Sequence, residues 1–241
     1  MMNAAFAELG IDWRYLRLPV PPERFAETVR ALAGSGYAGA NVTIPHKLAA
    51  HALADEHSEA AAAIGAANTL TFQDGRILAD NTDAGGLLDA LGESLDGRSA
   101  LILGAGGAGR AAAWALREAG AEVAIWNRTP ARARELAEQL QLEHVEGGRP
   151  ADVLVNTTAV GLDPGDDADA LPLDDCRAQT VVDLVYGDAP TPVCRWATDQ
   201  GSRVVDGREV LVRQGARSLR AWTGFEPPLE TMRRAAAVGP V

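Results

Sequence analysis

Lysine is nearly missing from this chain. Of its 22 basic side chains 21 are arginine, and the single lysine stands at position 47. Arginine stays protonated in proteins, whereas a lysine can lose its proton when its surroundings lower its pKa. Where a positive charge needs only to be solvated this chain uses arginine, so Lys47 points to chemistry that arginine cannot do. Cysteine is scarce too. Cys176 and Cys194 make no disulfide framework, and His46, His51, His57 and His144 do not join them at zinc-ligand spacing. No metal is expected, and a reduced, cytoplasmic setting fits. No apolar run is long enough to span a bilayer, and the start carries neither a basic n-region nor an apolar h-region. A net charge of −11 without any basic tract excludes non-specific nucleic-acid binding.

The most informative stretch runs over 99–129. A short apolar run at 100–103 reads as a buried strand, and Gly104, Gly106 and Gly109 follow at G-x-G-x-x-G spacing. A helical composition over 111–119 and a second strand at 123–126 complete the order. Three glycines alone mark an ordinary turn. Between a strand and a helix they mark a dinucleotide site, with one glycine for the tight turn, one for approach of the pyrophosphate and one for helix–strand packing. Residues Gly104, Ala105, Gly106, Gly107, Ala108 and Gly109 are therefore assigned to the cofactor, whose phosphates face the helix N-terminus. An NAD site places a carboxylate at the end of the second strand to bind the ribose 2′-hydroxyl. Here stand Asn127, Arg128 and Thr129, with Arg132 one turn on. Guanidinium groups there suit a 2′-phosphate, so the expected cofactor is NADP. Two solvated arginines at a helix start are the plainer alternative.

Elsewhere, residues 2–9 have helical spacing with Gly10 as a stop, and 12–18 read as a strand. Residues 23–33 form an amphipathic helix with Phe25, Val29 and Leu32 on one face. A short strand is expected over 40–44, then Pro45 at the first position of a helix reaching Ala54, and a second Ala-rich helix ending at Ile64. Strands at 69–72 and 76–79 flank Asp74-Gly75, a hairpin signal. Asp83 reads as an N-cap for a helix over 84–95. After the glycine stretch come a helix at 130–142 and a strand over 152–157. Thr157 opens a loop placed to meet the cofactor. The acidic stretch 163–175 is expected to be mobile. A strand at 180–186, a helix at 192–200, a strand at 203–205 and helices at 209–222 and 226–237 complete the chain. Strands alternating with helices imply a parallel α/β sheet, twice over.

Three blocks, Asn41-Val42-Thr43-Ile44-Pro45-His46-Lys47, Gly65-Ala66-Ala67-Asn68-Thr69 and Asp80-Asn81-Thr82-Asp83-Ala84-Gly85, resemble the shikimate dehydrogenase family. So do the glycine turn, Asn127-Arg128-Thr129, the stretch 183–186 and the segment 211–214. The resemblance covers nearly the whole chain in the family's order. It implies an α/β, two-domain fold: a Rossmann-type NADP-binding domain over 84–207, and a discontinuous α/β substrate domain over 1–83 and 208–241, with a cleft between them. It implies NADPH-dependent reduction of 3-dehydroshikimate to shikimate, in the route to aromatic amino acids. Lys47 and Asp83 match the family's catalytic pair. Thr43, Asn68 and Gln214 match positions holding substrate hydroxyls, Tyr186 a residue near the substrate carboxylate, and Thr157 and Val185 the cofactor. His46 is expected to be structural.

Two departures stand out. The family opens with a strand and a Ser-x-Ser-Pro turn that clasps the substrate carboxylate, whereas this sequence opens in the helix that follows. Either the start has been set too late or the chain is a shortened variant. The expectation is an incomplete substrate site beside an intact cofactor domain, with an open sheet edge that favours a homodimer. At Arg208-Glu209 the family carries small residues beside the nicotinamide end. Rival readings are a quinate or aminoshikimate dehydrogenase with the same Lys–Asp pair, and a non-catalytic NADP-binding protein.

Overall fold

The structure, a computed structural model, describes residues 1–163 and 165–237. The chain divides into two compact units: residues 1–86 with the chain from Leu211 onward, and Leu87–Val210. Both joins lie three residues beyond the 83/84 and 207/208 limits read from the sequence.

The first unit opens with α1 (Met2–Glu8), and Gly10 leaves it with φ of 69°. A short 3-10 turn at Pro22–Arg24 leads into α2 (Phe25–Ala33), which buries Phe25 and Val29. Then follow β1 (Gly39–Asn41), α3 (Lys47–Leu53), β2 (Glu56–His57) and α4 (Glu59–Ile64). Ser58 caps α4, its Oγ accepting the Ala61 N–H at 3.1 Å. The unit continues with β3 (Thr69–Gln73), β4 (Arg76–Asp80) and α5 (Thr82–Leu91), which passes into the second unit.

Four of the expected features differ here. Residues 12–18 form no strand. A strand needs a neighbour on its backbone groups, and at Tyr15 these are taken by a side chain: Asn3 accepts the Tyr15 N–H at 2.7 Å and donates to its carbonyl at 3.0 Å. The sheet, ordered β1-β3-β4-β2, is mixed and not parallel, because β3 runs antiparallel to both β1 and β4. The Asp74-Gly75 turn dictates this: both residues have positive φ, 51° and 76°, which suits a two-residue hairpin. Pro45 precedes α3 in a turn closed by the His46 N–H on the Thr43 carbonyl at 2.9 Å, after a cis Ile44–Pro45 peptide. Asp83 is no N-cap. The Asn81 Oδ1 accepts the Ala84 N–H at 3.4 Å, and Asp83 lies inside the first turn of α5.

The second unit is a six-stranded parallel sheet, ordered β10-β9-β8-β5-β6-β7. Its elements are β5 (Ser99–Leu103), α6 (Gly107–Glu118), β6 (Glu122–Trp126), α7 (Pro130–Leu140), β7 (Glu143–His144), β8 (Ala151–Asn156), β9 (Ala178–Asp183), α8 (Pro192–Asp199) and β10 (Arg203–Val205). Helices cover both faces of such a sheet, so its central strands read as continuous apolar runs. Leu101, Ile102 and Leu103 of β5 are fully buried, split between one cluster with Val153, Val155 and Ile125 and another with Leu154, Val181 and Val193. The stretch 163–175, expected to be mobile, is anchored instead. Leu171 and Leu173 enter the core, and Asp166 accepts the N–H groups of Gly161 and Asp163, which hold its carboxyl below the usual range. Pro164 within it lies outside the described residues. Strand β9 stops at Asp183, three residues short of the expected end, because Asp183 turns the chain away.

Helix α9 (Gly207–Thr223) returns the chain to the first unit, and α10 (Leu229–Ala237) follows. There Val212, Ala216 and Leu219 of α9 pack with Met232 and Ala236 of α10 and with Met2, Ala5 and Phe6 of α1. No helix among the described residues is long and apolar enough to cross a membrane.

Leu101→Ala removes a fully buried side chain from a sheet covered on both faces. It should cost the second unit about 2–5 kcal/mol, read as an earlier denaturant midpoint in the fluorescence of Trp114, Trp126 and Trp196.

Candidate active site

In the first unit, Lys47 begins α3 and Asp83 lies in the first turn of α5, and their side chains meet. The Lys47 Nζ donates to Asp83 Oδ2 at 2.6 Å, with the two side chains 14% and 19% exposed. The second carboxylate oxygen, Oδ1, accepts from Asn68 Nδ2 at 2.7 Å. Asn68 is buried and its amide has one orientation, because its Oδ1 accepts the Thr82 backbone N–H at 2.7 Å. A backbone amide can only donate, so the nitrogen of Asn68 must face the other way, onto the carboxylate. Gln214 Oε1, from α9, lies 3.1 Å from that nitrogen, and the Gln214 amide donates back to the Leu211 carbonyl at 2.9 Å. Backbone bonding also ties α3 to this region, with the Ala67 N–H on the Lys47 carbonyl at 2.9 Å.

Behind Asn68 lies a set of polar groups that the sequence reading did not assign. The hydroxyls of Thr69, Thr82 and Ser218 sit 2.8–3.1 Å apart in a triangle, all buried. Asn41 Nδ2 donates to Ser218 Oγ at 2.9 Å and to Thr69 Oγ1 at 3.1 Å, and its Oδ1 accepts from the Tyr15 hydroxyl at 3.0 Å. Burial pushes the Tyr15 phenol above its ordinary pKa, which keeps it a donor. Ser218 was findable, since it lies four residues beyond Gln214 and so on the same face of α9. Thr43 is exposed in the turn before α3. His46, expected to be structural, stacks on the Phe25 ring at 4.5 Å, and its Nε2 is 2.9 Å from the Val20 carbonyl.

The second unit carries the glycine turn. Gly104 has φ of 113°, closed to most side chains, and a Cβ there would overlap the Thr157 hydroxyl. A Cβ on Gly109 would overlap the Gly104 carbonyl, so helix α6 approaches β5 as closely as backbone allows. At Gly106, the N-cap of α6, a Cβ would meet nothing within 4 Å, leaving an open face where backbone N–H groups are exposed to a ligand. Asn127 spends its amide on the protein: its Oδ1 accepts the Ala105 N–H at 3.2 Å and its Nδ2 donates to the Thr129 carbonyl at 3.0 Å. It thereby fixes the turn against the end of β6. Thr157 donates to the Leu103 carbonyl at 2.9 Å beneath the same turn. Arg128 and Arg132 are exposed, and neither has a carboxylate partner among the described residues. Open backbone donors and two uncommitted guanidiniums fit the pyrophosphate and 2′-phosphate of NADP.

A buried carboxylate shapes the stretch that carries Val185 and Tyr186. Asp183, at the end of β9, accepts from the Thr191 hydroxyl, from Asn156 Nδ2 at 2.8 Å and from the Val185 N–H at 3.0 Å. Burial pushes its carboxyl up against the downward pull of those bonds. The result is a fixed bend carrying Val185 and Tyr186. The Arg208 guanidinium reaches Asp188 at 3.4 Å, and its Nε is buried without a partner among the described residues. Contacts within the first unit thus gather Lys47, Asp83, Asn68 and Gln214. Gly104 to Gly109, Asn127, Arg128, Thr129, Arg132 and Thr157 gather in the second, where Val185 and Tyr186 follow β9.

Comparison with known proteins agrees with both halves. Residues 1–70 match the family described as shikimate dehydrogenase substrate binding domain, 87–154 match shikimate / quinate 5-dehydrogenase, and 207–237 match shikimate 5′-dehydrogenase C-terminal domain. The NADP(+) shikimate dehydrogenase of Methanothermobacter thermautotrophicus is 44% identical over 249 residues, covering 96% of this chain and 88% of that protein. That of Anaeromyxobacter dehalogenans is 44% identical, covering 98% and 89%. The crystal structure of shikimate 5-dehydrogenase from Thermus thermophilus, in complex with NADP(H) and shikimate, superposes with a TM-score of 0.88 at 41% identity, covering 98% of this chain and 91% of that one. The lysine–carboxylate pair, the glycine turn and the matches along nearly the whole length place this chain in the shikimate dehydrogenase family.

Proposed function

We propose that this chain is an NADP-dependent shikimate dehydrogenase that reduces 3-dehydroshikimate to shikimate, reversibly. The observation that carries the reading is the Lys47–Asp83 pair at 2.6 Å, with its carboxylate locked from behind by Asn68. When bound, NADPH supplies the hydride for the ketone carbon. The chain's own residues manage the charge and the proton. As hydride arrives, negative charge grows on the ketone oxygen, and an ammonium placed there stabilises it and then delivers a proton. Lys47 has three N–H donors, one committed to Asp83, so others remain for the substrate oxygen. Asp83 keeps the ammonium aimed and offers its oxygens to a substrate hydroxyl. Asn68 and Gln214 add polar groups beside it, and we assign Thr43 and Tyr186 to the substrate on their family positions. On the cofactor side, the open Gly106 face suits the pyrophosphate, and Arg128 and Arg132 suit the 2′-phosphate.

The decisive experiment is NADP⁺ reduction with shikimate, followed as the appearance of NADPH. Turnover with shikimate well above that with quinate supports the proposal, and the reverse preference replaces shikimate by quinate. NADP binding without turnover of either moves the chain to a cofactor-binding role. Lys47→Ala should lower kcat about 10²–10⁴-fold while NADPH affinity, measured by fluorescence, stays at the parent value. Equal loss of both would place Lys47 outside the chemistry. Arg128→Leu with Arg132→Leu should cut the preference for NADPH over NADH at least tenfold, mainly by weakening NADPH. An unchanged ratio would remove the 2′-phosphate assignment.

A further inference from the structure

The hydroxyl triangle behind Asn68 is tied to the backbone of α9 through Ser218. Each hydroxyl carries one proton and can accept two bonds. Five acceptor atoms therefore compete for three protons: the three oxygens of the triangle, Asn68 Oδ1 and the Gln214 backbone carbonyl. Ser218 Oγ lies 3.1 Å from that carbonyl, four residues back on α9. A carbonyl only accepts, so that contact is made with the Ser218 proton. Its oxygen then stands open to donors, and Asn41 Nδ2 supplies one at 2.9 Å. The Asn41 nitrogen is oriented this way because the Asn68 carbonyl, another pure acceptor, lies 3.3 Å from it. The Thr69 and Thr82 hydroxyls, 2.8 and 3.1 Å from Ser218, are each placed to donate to it as well.

The consequence falls on Asn68. Thr82 Oγ1 lies 3.2 Å from Asn68 Oδ1 and 3.0 Å from Asn68 Nδ2. With its proton turned toward Ser218, Thr82 presents a lone pair to the Asn68 nitrogen. One N–H of the Asn68 amide is then held by Thr82, and the other goes to Asp83 Oδ1 at 2.7 Å. Without Ser218, the Thr82 proton is left with the Thr69 hydroxyl, 2.9 Å away, or with Asn68 Oδ1, which already accepts the Thr82 backbone N–H. A Thr82 hydroxyl turned toward Asn68 Oδ1 points its proton at the amide, and its hold on the Asn68 N–H weakens.

We propose that Ser218 is a positioning residue for the Lys47–Asp83 pair, acting through the Thr82 hydroxyl on the Asn68 amide. Ser218 touches neither member of the pair. It offers the Thr82 proton a destination other than Asn68 Oδ1, so that the Thr82 oxygen can hold the Asn68 N–H that does not go to Asp83. The proposal rests on the dehydrogenase reading for its kinetic effect, whereas the amide geometry stands without it.

The test uses Ser218→Ala and Ser218→Cys in the full chain. Cysteine nearly keeps the volume but is a weak donor and acceptor, so it serves if the alanine variant fails to fold. The expected result is a fall in kcat for shikimate oxidation of about tenfold in either variant, with NADPH affinity unchanged. In parallel, the two side-chain N–H signals of Asn68 in the NMR spectrum should be slow to exchange in the parent and fast in the variants. A lower melting temperature with kcat and Asn68 exchange both unchanged would overturn the proposal and leave Ser218 as packing. If the parent itself turns over no shikimate, the functional reading fails, and Asn68 exchange alone decides the role of Ser218.

Discussion

A single backbone N–H governs the site in the first unit. Thr82 begins helix α5, where the first N–H groups have no partner within the helix and must find one elsewhere. Its partner is the side-chain oxygen of Asn68, and that bond leaves the Asn68 nitrogen one way to face. A buried amide that finds no acceptor is costly, so the Asp83 carboxylate is drawn onto it. The remaining carboxylate oxygen then holds the one lysine of the chain. The Lys47–Asp83 pair is thus the outer end of a chain of bonds that starts at a helix terminus. The same logic explains why Asp83 does not cap its own helix. Asn81 takes that task, and the carboxylate is left for Asn68 and Lys47.

In the second unit the constraint is backbone proximity. Gly104 and Gly109 are places where a single added carbon would collide with protein, and Gly106 is a place where it would meet nothing. The first pair draws α6 against β5. The third keeps a surface of N–H groups uncovered. Asn127 and Thr157, which flank the turn from neighbouring strands, spend their polar atoms holding it rather than reaching outward. Asp183 does the corresponding work after β9, where a buried carboxylate collects three donors to fix the bend ahead of Tyr186. Positions that a motif assigns to a ligand therefore include several whose visible work is to shape the backbone that meets it.

Much of this was legible in the residues. The strand–glycine–helix order over 99–126, the hairpin at Asp74-Gly75 and the lone lysine within Asn-Val-Thr-Ile-Pro-His-Lys each carry a local signal. The places where the reading failed turn on how segments pair and pack. Residues 12–18 have the composition of a strand, but a strand is a pairing, and the Tyr15 backbone is paired to the Asn3 side chain. Alternation of strands and helices suggested a second parallel sheet, yet the hairpin turn reverses β3 against β4. Residues 163–175 look polar and loose, but Leu171 and Leu173 find a core to enter. In the first and last of these the partner lies away along the chain, and in the second the turn between neighbouring strands decides.

What the sequence determined by itself is therefore everything that depends on neighbours within one turn or one strand. That covers the glycine turn and its preference for a phosphate, the absence of a carboxylate after β6, the hairpin, and the identity of the groups available for acid–base work. What only the tertiary structure decided is which of those groups meet. Lys47, Asn68, Asp83, Gln214 and Ser218 come from α3, the segment before β3, α5 and α9, from near the start of the chain to near its end. Local propensity cannot register a hydrogen bond across such distances. Packing brings the elements together, and the orientation of one buried amide then settles how the polar groups point.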